Sequence, residues 1–140
     1  MGKIKILSTI KFFLGVLIAI TPYYIFPVCE FYGKMIKTEG GGYVPMVCTY
    51  TAKTELILGI LISLLSLFLF FSSQKESQIY LSFTLLALFS FSLFVPTYLI
   101  GVCKGPTMPC RLGTLPALLL LGGVGILLSI LILFSLLIER

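Results

Sequence analysis

Four stretches of the chain are apolar almost without interruption, and shorter polar segments separate them: about Ile10 to Val28, Ala52 to Phe71, Ile79 to Val102 and Gly113 to Leu137. An α-helix rises about 1.5 Å per residue, so about 20 apolar residues cross a hydrocarbon core about 30 Å thick. The pattern therefore predicts an all-α fold, an integral membrane four-helix bundle, in a single transmembrane domain over residues 1–140. The connection Ser72 to Gln78 is short and polar, which makes the second and third helices antiparallel neighbours. The two longer connections, residues 29–51 and 103–112, fall at the opposite end, and Gly40-Gly41-Gly42 marks a turn in the first of them.

Composition agrees with the pattern. The chain is 59% apolar and 11% charged, against about 45–50% and about 25% in soluble domains; its mean hydropathy is +1.14. It contains no His, Asp, Asn or Trp. A Ser-His-Asp triad, a His-based zinc site and an Asp-based ion site are thereby excluded, and no phosphate loop ending in Gly-Lys-Ser/Thr is present.

The net charge of +5 arises from ten Lys and Arg scattered between apolar spans rather than along one polar face. That distribution suits lipid headgroups and argues against a nucleic-acid partner. Lys3, Lys5 and Lys11 precede the first apolar run as they would in a signal peptide. The run continues through Tyr23, Ile25, Phe26 and Val28, however, and Thr21-Pro22 offers no small-x-small cleavage site, so it is read as a span.

Sidedness by charge is a tie, with Lys3, Lys5, Lys11, Lys75 and Arg140 against Lys34, Lys37, Lys53, Lys104 and Arg111. The clustered N-terminal lysines break it in favour of cytoplasmic termini. The cysteine loops then face an oxidising exterior.

The chain also carries an internal echo. The end of the first span reads Pro22-Tyr23-Tyr24-Ile25-Phe26-Pro27-Val28-Cys29 and the end of the third reads Pro96-Thr97-Tyr98-Leu99-Ile100-Gly101-Val102-Cys103. Pro, Tyr, Val and Cys coincide without a gap, and Met46-Val47-Cys48 and Met108-Pro109-Cys110 follow before the second and fourth spans. This pattern predicts two tandem helical hairpins, residues 10–71 and 79–138, duplicated about an axis along the membrane normal. Both cysteine loops then gather at one end. Pro22 and Pro96 each kink or open the last turns of their helix and release carbonyls there.

Three readings of the cysteines follow. Two structural disulfides, Cys29 to Cys48 and Cys103 to Cys110, would staple each loop within its own hairpin, although four cysteines allow three pairings. A four-helix membrane bundle with two cysteine pairs in its exterior loops also resembles the quinone-coupled disulfide oxidases and the vitamin K epoxide reductases. Those families tune a Cys-x-x-Cys pair, which this chain lacks. Thirdly, Cys29, Cys48, Cys103 and Cys110 together with Met46 and Met108 form a soft ligand set suited to Cu(I).

Glu55 is a candidate functional acid because ionisable groups in spans are costly. The alternative is a first-turn Glu favoured by the helix dipole, with Thr51 as N-cap. Gly59 with Ser63, Gly113 with Ala117 and Gly125 with Ser129 have the spacing of close helix approach. The run Gly122-Gly123-x-Gly125 marks a flexible point or a packing seam, and Tyr23, Tyr24, Tyr43, Tyr50 and Tyr98 form an interfacial belt.

The strings from Met46 to Glu55 (MVCTYTAKTE) and from Val102 to Leu118 (VCKGPTMPCRLGTLPAL) resemble the signatures of an uncharacterised prokaryotic family of four-span membrane proteins, domain of unknown function 4418, over nearly the whole chain. The resemblance implies a bacterial or archaeal cell membrane and an association with ABC-type exporters, and supplies no activity.

The expectation is a non-catalytic accessory or structural subunit without cofactor, in contact with lipid and with a larger membrane partner or a second copy of itself. The competing expectation is a thiol oxidoreductase or metal handler using a quinone or Cu(I).

Overall fold

The computed structural model describes residues 2–28 and 36–138. Four long helices account for most of it: α1 (Gly2–Ile20), α2 (Val47–Phe71), α3 (Lys75–Phe94) and α4 (Leu115–Ile138). With the helical turns that extend them, all four are long and apolar enough to cross a bilayer, over Ile4–Ile25, Val47–Phe71, Lys75–Leu99 and Cys110–Ile138. The chain is thus an all-α, multi-pass membrane bundle, as the hydropathy pattern predicts.

The spans differ from the expected ones mainly at their starts. Helix α1 begins at Gly2, so Lys5 and Lys11 lie on it rather than ahead of it. Helix α2 begins at Val47 instead of Ala52, and α3 begins at Lys75, which leaves only residues 72–74 as the tight connection. Apolar runs locate the hydrocarbon-spanning part of a helix, but a helix continues into the polar interface while its backbone bonds are satisfied.

Helices α1 and α2 form the tightest seam, because small residues let their backbones meet. A methyl group placed on Gly59 would come within 2.6 Å of the Ala19 nitrogen and the Gly15 carbonyl, and one on Gly15 would meet Ser63 and Gly59. Ser8 Oγ donates to the Ser66 carbonyl at 2.5 Å, which fixes the same antiparallel register.

The α3–α4 seam uses another device, in which Gly122 and Gly125 are filled by Leu93 and Phe89. The glycine run in α4 is therefore a packing groove rather than a flexible point. Ile18, Ile62, Leu85, Phe89, Leu118 and Ile132 are buried at the centre, and long apolar side chains on the outer faces are left for lipid.

Both prolines act where the sequence places them. Each span that contains one ends in a five-residue π-helical turn, Thr21–Ile25 and Val95–Leu99, with Pro22 and Pro96 at the start. The Phe26 N–H bonds the Thr21 carbonyl at 2.9 Å and the Ile100 N–H bonds the Val95 carbonyl at 3.0 Å. A third π-helical turn, Cys110–Thr114, opens the fourth span.

In the long loop, strands β1 (Ile36–Lys37) and β2 (Tyr43–Val44) pair antiparallel, with Ile36 opposite Val44. The turn between them contains Gly41 at φ +80°, so the anticipated glycine turn is present, although the strands were not anticipated.

One expectation about polar residues is corrected: Lys11 was placed among headgroups, and it is fully buried in the third turn of α1. Ser8, Ser63, Ser66, Ser82, Ser92 and Ser129 also point inward and are buried.

The seams make opposite predictions for two glycines. Gly59→Ala drives a methyl group into backbone and should destabilise the detergent-solubilised protein by about 1–3 kcal/mol. Gly123→Ala meets open space and should be neutral or slightly stabilising, by up to about 1 kcal/mol. Thermal unfolding of both variants beside the parent checks the pair.

Candidate soft-ligand site at the loop end

At the end of the bundle opposite the α2–α3 turn, a second buried cluster gathers Val28, Cys48, Ala52 and Cys110, with Tyr23, Met46, Cys103 and Met108 packed against it. Three of the expected site cysteines meet here. The Sγ atoms of Cys48, Cys103 and Cys110 all lie within 4.8 Å of one another. Cys48 and Cys103 are 3.3 Å apart, and Met46 Sδ is 3.9 Å from Cys103 Sγ. Cys48 and Cys110 are fully buried, while Cys103 is half-buried. Cys29 lies outside the described residues, and so does its expected pairing with Cys48.

No pair of described cysteines stands at disulfide bonding distance, Cys103 and Cys110 included. The grouping joins the two hairpins: Cys48 belongs to the first, Cys103 and Cys110 to the second.

What holds this end together is a crossed pair of hydrogen bonds. Thr51 Oγ1, in α2, donates to the Gly101 carbonyl just past the π-helical turn of the third span, at 2.6 Å. Thr114 Oγ1, at the start of the fourth span, donates to the Phe26 carbonyl just past the π-helical turn of the first, at 2.9 Å. In each case a threonine one helical turn beyond a buried cysteine captures a carbonyl that lies past a proline on the other hairpin. Both carbonyls lie just past the end of their helix, where no following turn supplies a donor, and each threonine satisfies one of them. Gly101 adopts φ +83°, a conformation open to glycine, which turns its carbonyl toward Thr51 and the chain toward Cys103.

Thr51 is therefore not an N-cap. The cap position is Met46, which makes no side-chain cap bond. The first-turn reading of Glu55 falls with it: Glu55 is the ninth residue of α2, fully buried, and its Oε2 accepts a 2.7 Å hydrogen bond from Ser92 Oγ. Its other oxygen has no hydrogen-bond partner among the described residues. Cys48, Ala52 and Glu55 lie along one buried stripe of α2, so the acid sits two turns deeper than the sulfurs.

Among the described residues the site has a lateral mouth. A cleft of about 890 Å³ opens beside Cys103, with Met46, Met108, Lys104 and Arg111 on its walls. Arg111 Nη1 donates to the Lys104 carbonyl at 2.9 Å, which closes the loop into a cationic rim.

Sequence reasoning missed the roles of Thr51 and Thr114 as cross-ties. The signal was the recurrence of a threonine three or four residues after Cys48 and Cys110. It could not be used without knowing that the hairpins meet at this end.

Thr51→Val keeps the shape and removes the hydroxyl, leaving the Gly101 carbonyl without its donor. The expected loss is about 1–3 kcal/mol, with faster alkylation of Cys103 and unchanged helix content. Maleimide labelling rates and circular dichroism measure the two effects.

No curated protein matches the chain, and neither does any solved structure. A family model described as a domain of unknown function, DUF4418, matches residues 11–135, which include most of the first and fourth spans, all of the second and third, and both cysteine loops. The chain belongs to the DUF4418 family of membrane proteins.

Proposed function

We propose that this multi-pass membrane protein binds a thiophilic metal ion, Cu(I) above all, at the loop end of its bundle, with Cys48, Cys103 and Cys110 as ligands and Met46 as an auxiliary donor. The observation that carries the reading is the convergence of three sulfurs from two hairpins within 4.8 Å. An ion bonded to sulfur at about 2.3 Å holds its ligands roughly 4 Å apart, whereas a disulfide needs about 2.0 Å. Thiolates with thioethers are the donors that select Cu(I) over harder ions. Each thiol loses its proton to the medium as the metal–sulfur bond forms, and Lys104 and Arg111 offset the negative charge of the complex. The lateral cleft provides an entry path that ends at Cys103.

The matching π-helical turns, crossed threonine bonds and Met-x-Cys elements support an origin by duplication of one hairpin. On this reading each half supplies one side of the site. Cytoplasmic termini and an exterior cysteine end in a prokaryotic cell membrane belong to the same proposal, in which the protein serves a larger membrane partner, such as an exporter, as a metal-carrying accessory subunit.

A second reading is favoured by the complete burial of Cys48 and Cys110. In it the cysteines form structural disulfides that brace the loops of a subunit without metal. Thiol exchange with a quinone is the outcome to expect if the sulfurs cycle between states instead.

The deciding experiment loads reduced protein in detergent with Cu(I) under nitrogen. Metal analysis should find about one copper per chain, with ultraviolet thiolate-to-copper absorption. Cys48→Ser, Cys103→Ser and Cys110→Ser should each weaken binding by more than about tenfold, and Met46→Leu by less. Protein isolated from membranes with two intact disulfides that resist mild reductant, and no copper uptake after full reduction, would establish the structural reading.

A further inference from the structure

We propose that the opposite half of the bundle interior holds a chloride-sized monovalent anion, bound by the Lys11 ammonium with the hydroxyls of Ser66 and Ser82. This site is independent of the sulfur cluster, and neither proposal needs the other.

Lys11 is fully buried, and its Nζ has no hydrogen-bond partner among the described residues. Among the same residues Ser66 Oγ and Ser82 Oγ are also buried without partners. Helix arithmetic puts the three in one layer. Ser66 lies five residues before the end of α2 and Ser82 seven residues after the start of α3, so both are about 8–10 Å in from the turn that joins those helices. The hydrogen bond from Ser8 to the Ser66 carbonyl brings α1 to the same depth. Lys11 is one turn further along α1, and side chains on a helix lean back toward its N-terminus, here toward Ser8 and that layer.

The missing counter-charge is not Glu55. Ser63 Oγ contacts the Phe12 carbonyl, beside Lys11, and Glu55 is eight residues nearer the loop end on α2, about 12 Å away. The other described charged side chains near this end, Lys5, Lys75 and Glu76, are exposed. An ammonium group offers three donors and no acceptor, so the layer lacks an acceptor that also cancels charge. A monovalent anion supplies both. A buried charge without a partner is otherwise among the costliest features a membrane bundle can carry.

The test uses the full chain in lipid nanodiscs, with chloride exchanged for gluconate at constant ionic strength and pH. Radiolabelled chloride should bind saturably at about one per chain, and the unfolding temperature should rise with chloride over the same range. Lys11→Met should abolish both effects, and Ser66→Ala and Ser82→Ala should each weaken binding by about three- to tenfold. Absence of saturable chloride binding in the parent protein, or its persistence in Lys11→Met, overturns the proposal. Should Lys11→Met fail to fold, the serine variants decide: unchanged affinity in both overturns it as well.

Discussion

The loop end of this protein depends on what a proline does to the last turns of a membrane helix. Pro22 and Pro96 have no amide hydrogen to give, and each helix widens into a π-helical turn at that point. Past each turn the chain leaves the helix, and the carbonyls there have no helical donor. Thr114 takes the one at Phe26 and Thr51 takes the one at Gly101. Because each threonine belongs to the other hairpin, satisfying the backbone and assembling the bundle are one event. The sulfurs converge as a consequence, since Cys48 and Cys110 lie one turn from those threonines and Cys103 lies two residues past Gly101.

The interior below that end is layered. Glu55 and Ser92 form a polar pair beneath the sulfurs. An apolar layer of Ile18, Ile62, Leu85 and Phe89 follows, and the Lys11 layer of serines lies beyond it. In lipid the outer faces carry no information beyond apolarity, so specificity of packing falls to the interior. Small residues set the α1–α2 distance and hydroxyls fill the positions where a longer apolar chain would force the helices apart. Two of these hydroxyls bond a carbonyl of their own helix four residues back, Ser63 to Gly59 and Ser129 to Gly125, so they cost little where they are buried.

The architecture was legible because spanning a membrane imposes a length and a composition that four runs of this sequence meet. The prolines were legible as well, since their effect is local. The start of α2 was not, because Val47 to Thr51 mixes polar with apolar residues and only the Thr51 bond to Gly101 explains why the helix begins there. The same contact turned Thr51 from a cap into a cross-tie and moved Glu55 from the first turn to the third. The sequence expected staples within hairpins and both cysteine loops at one end; Cys103 and Cys110 do lie close, Cys48 of the other hairpin lies beside them, and Cys29 falls outside the described residues. Lys11 misled because a lysine near a terminus is normally solvated, and only the helix phase, shared with Ser8 and Gly15, points it inward.

The account stands on the meeting of sulfurs across hairpins, and a cross-link reports that most directly. A chain that keeps Cys48 and Cys103 as its only cysteines, with a protease site inserted between Ser72 and Gln74, would be oxidised mildly in the membrane, cut, and run on a non-reducing gel. With Sγ atoms 3.3 Å apart, the two halves should stay covalently joined and separate on reduction. Halves that separate without reductant, while chains retaining only Cys103 and Cys110 or only Cys29 and Cys48 oxidise readily within their own hairpin, would contradict it.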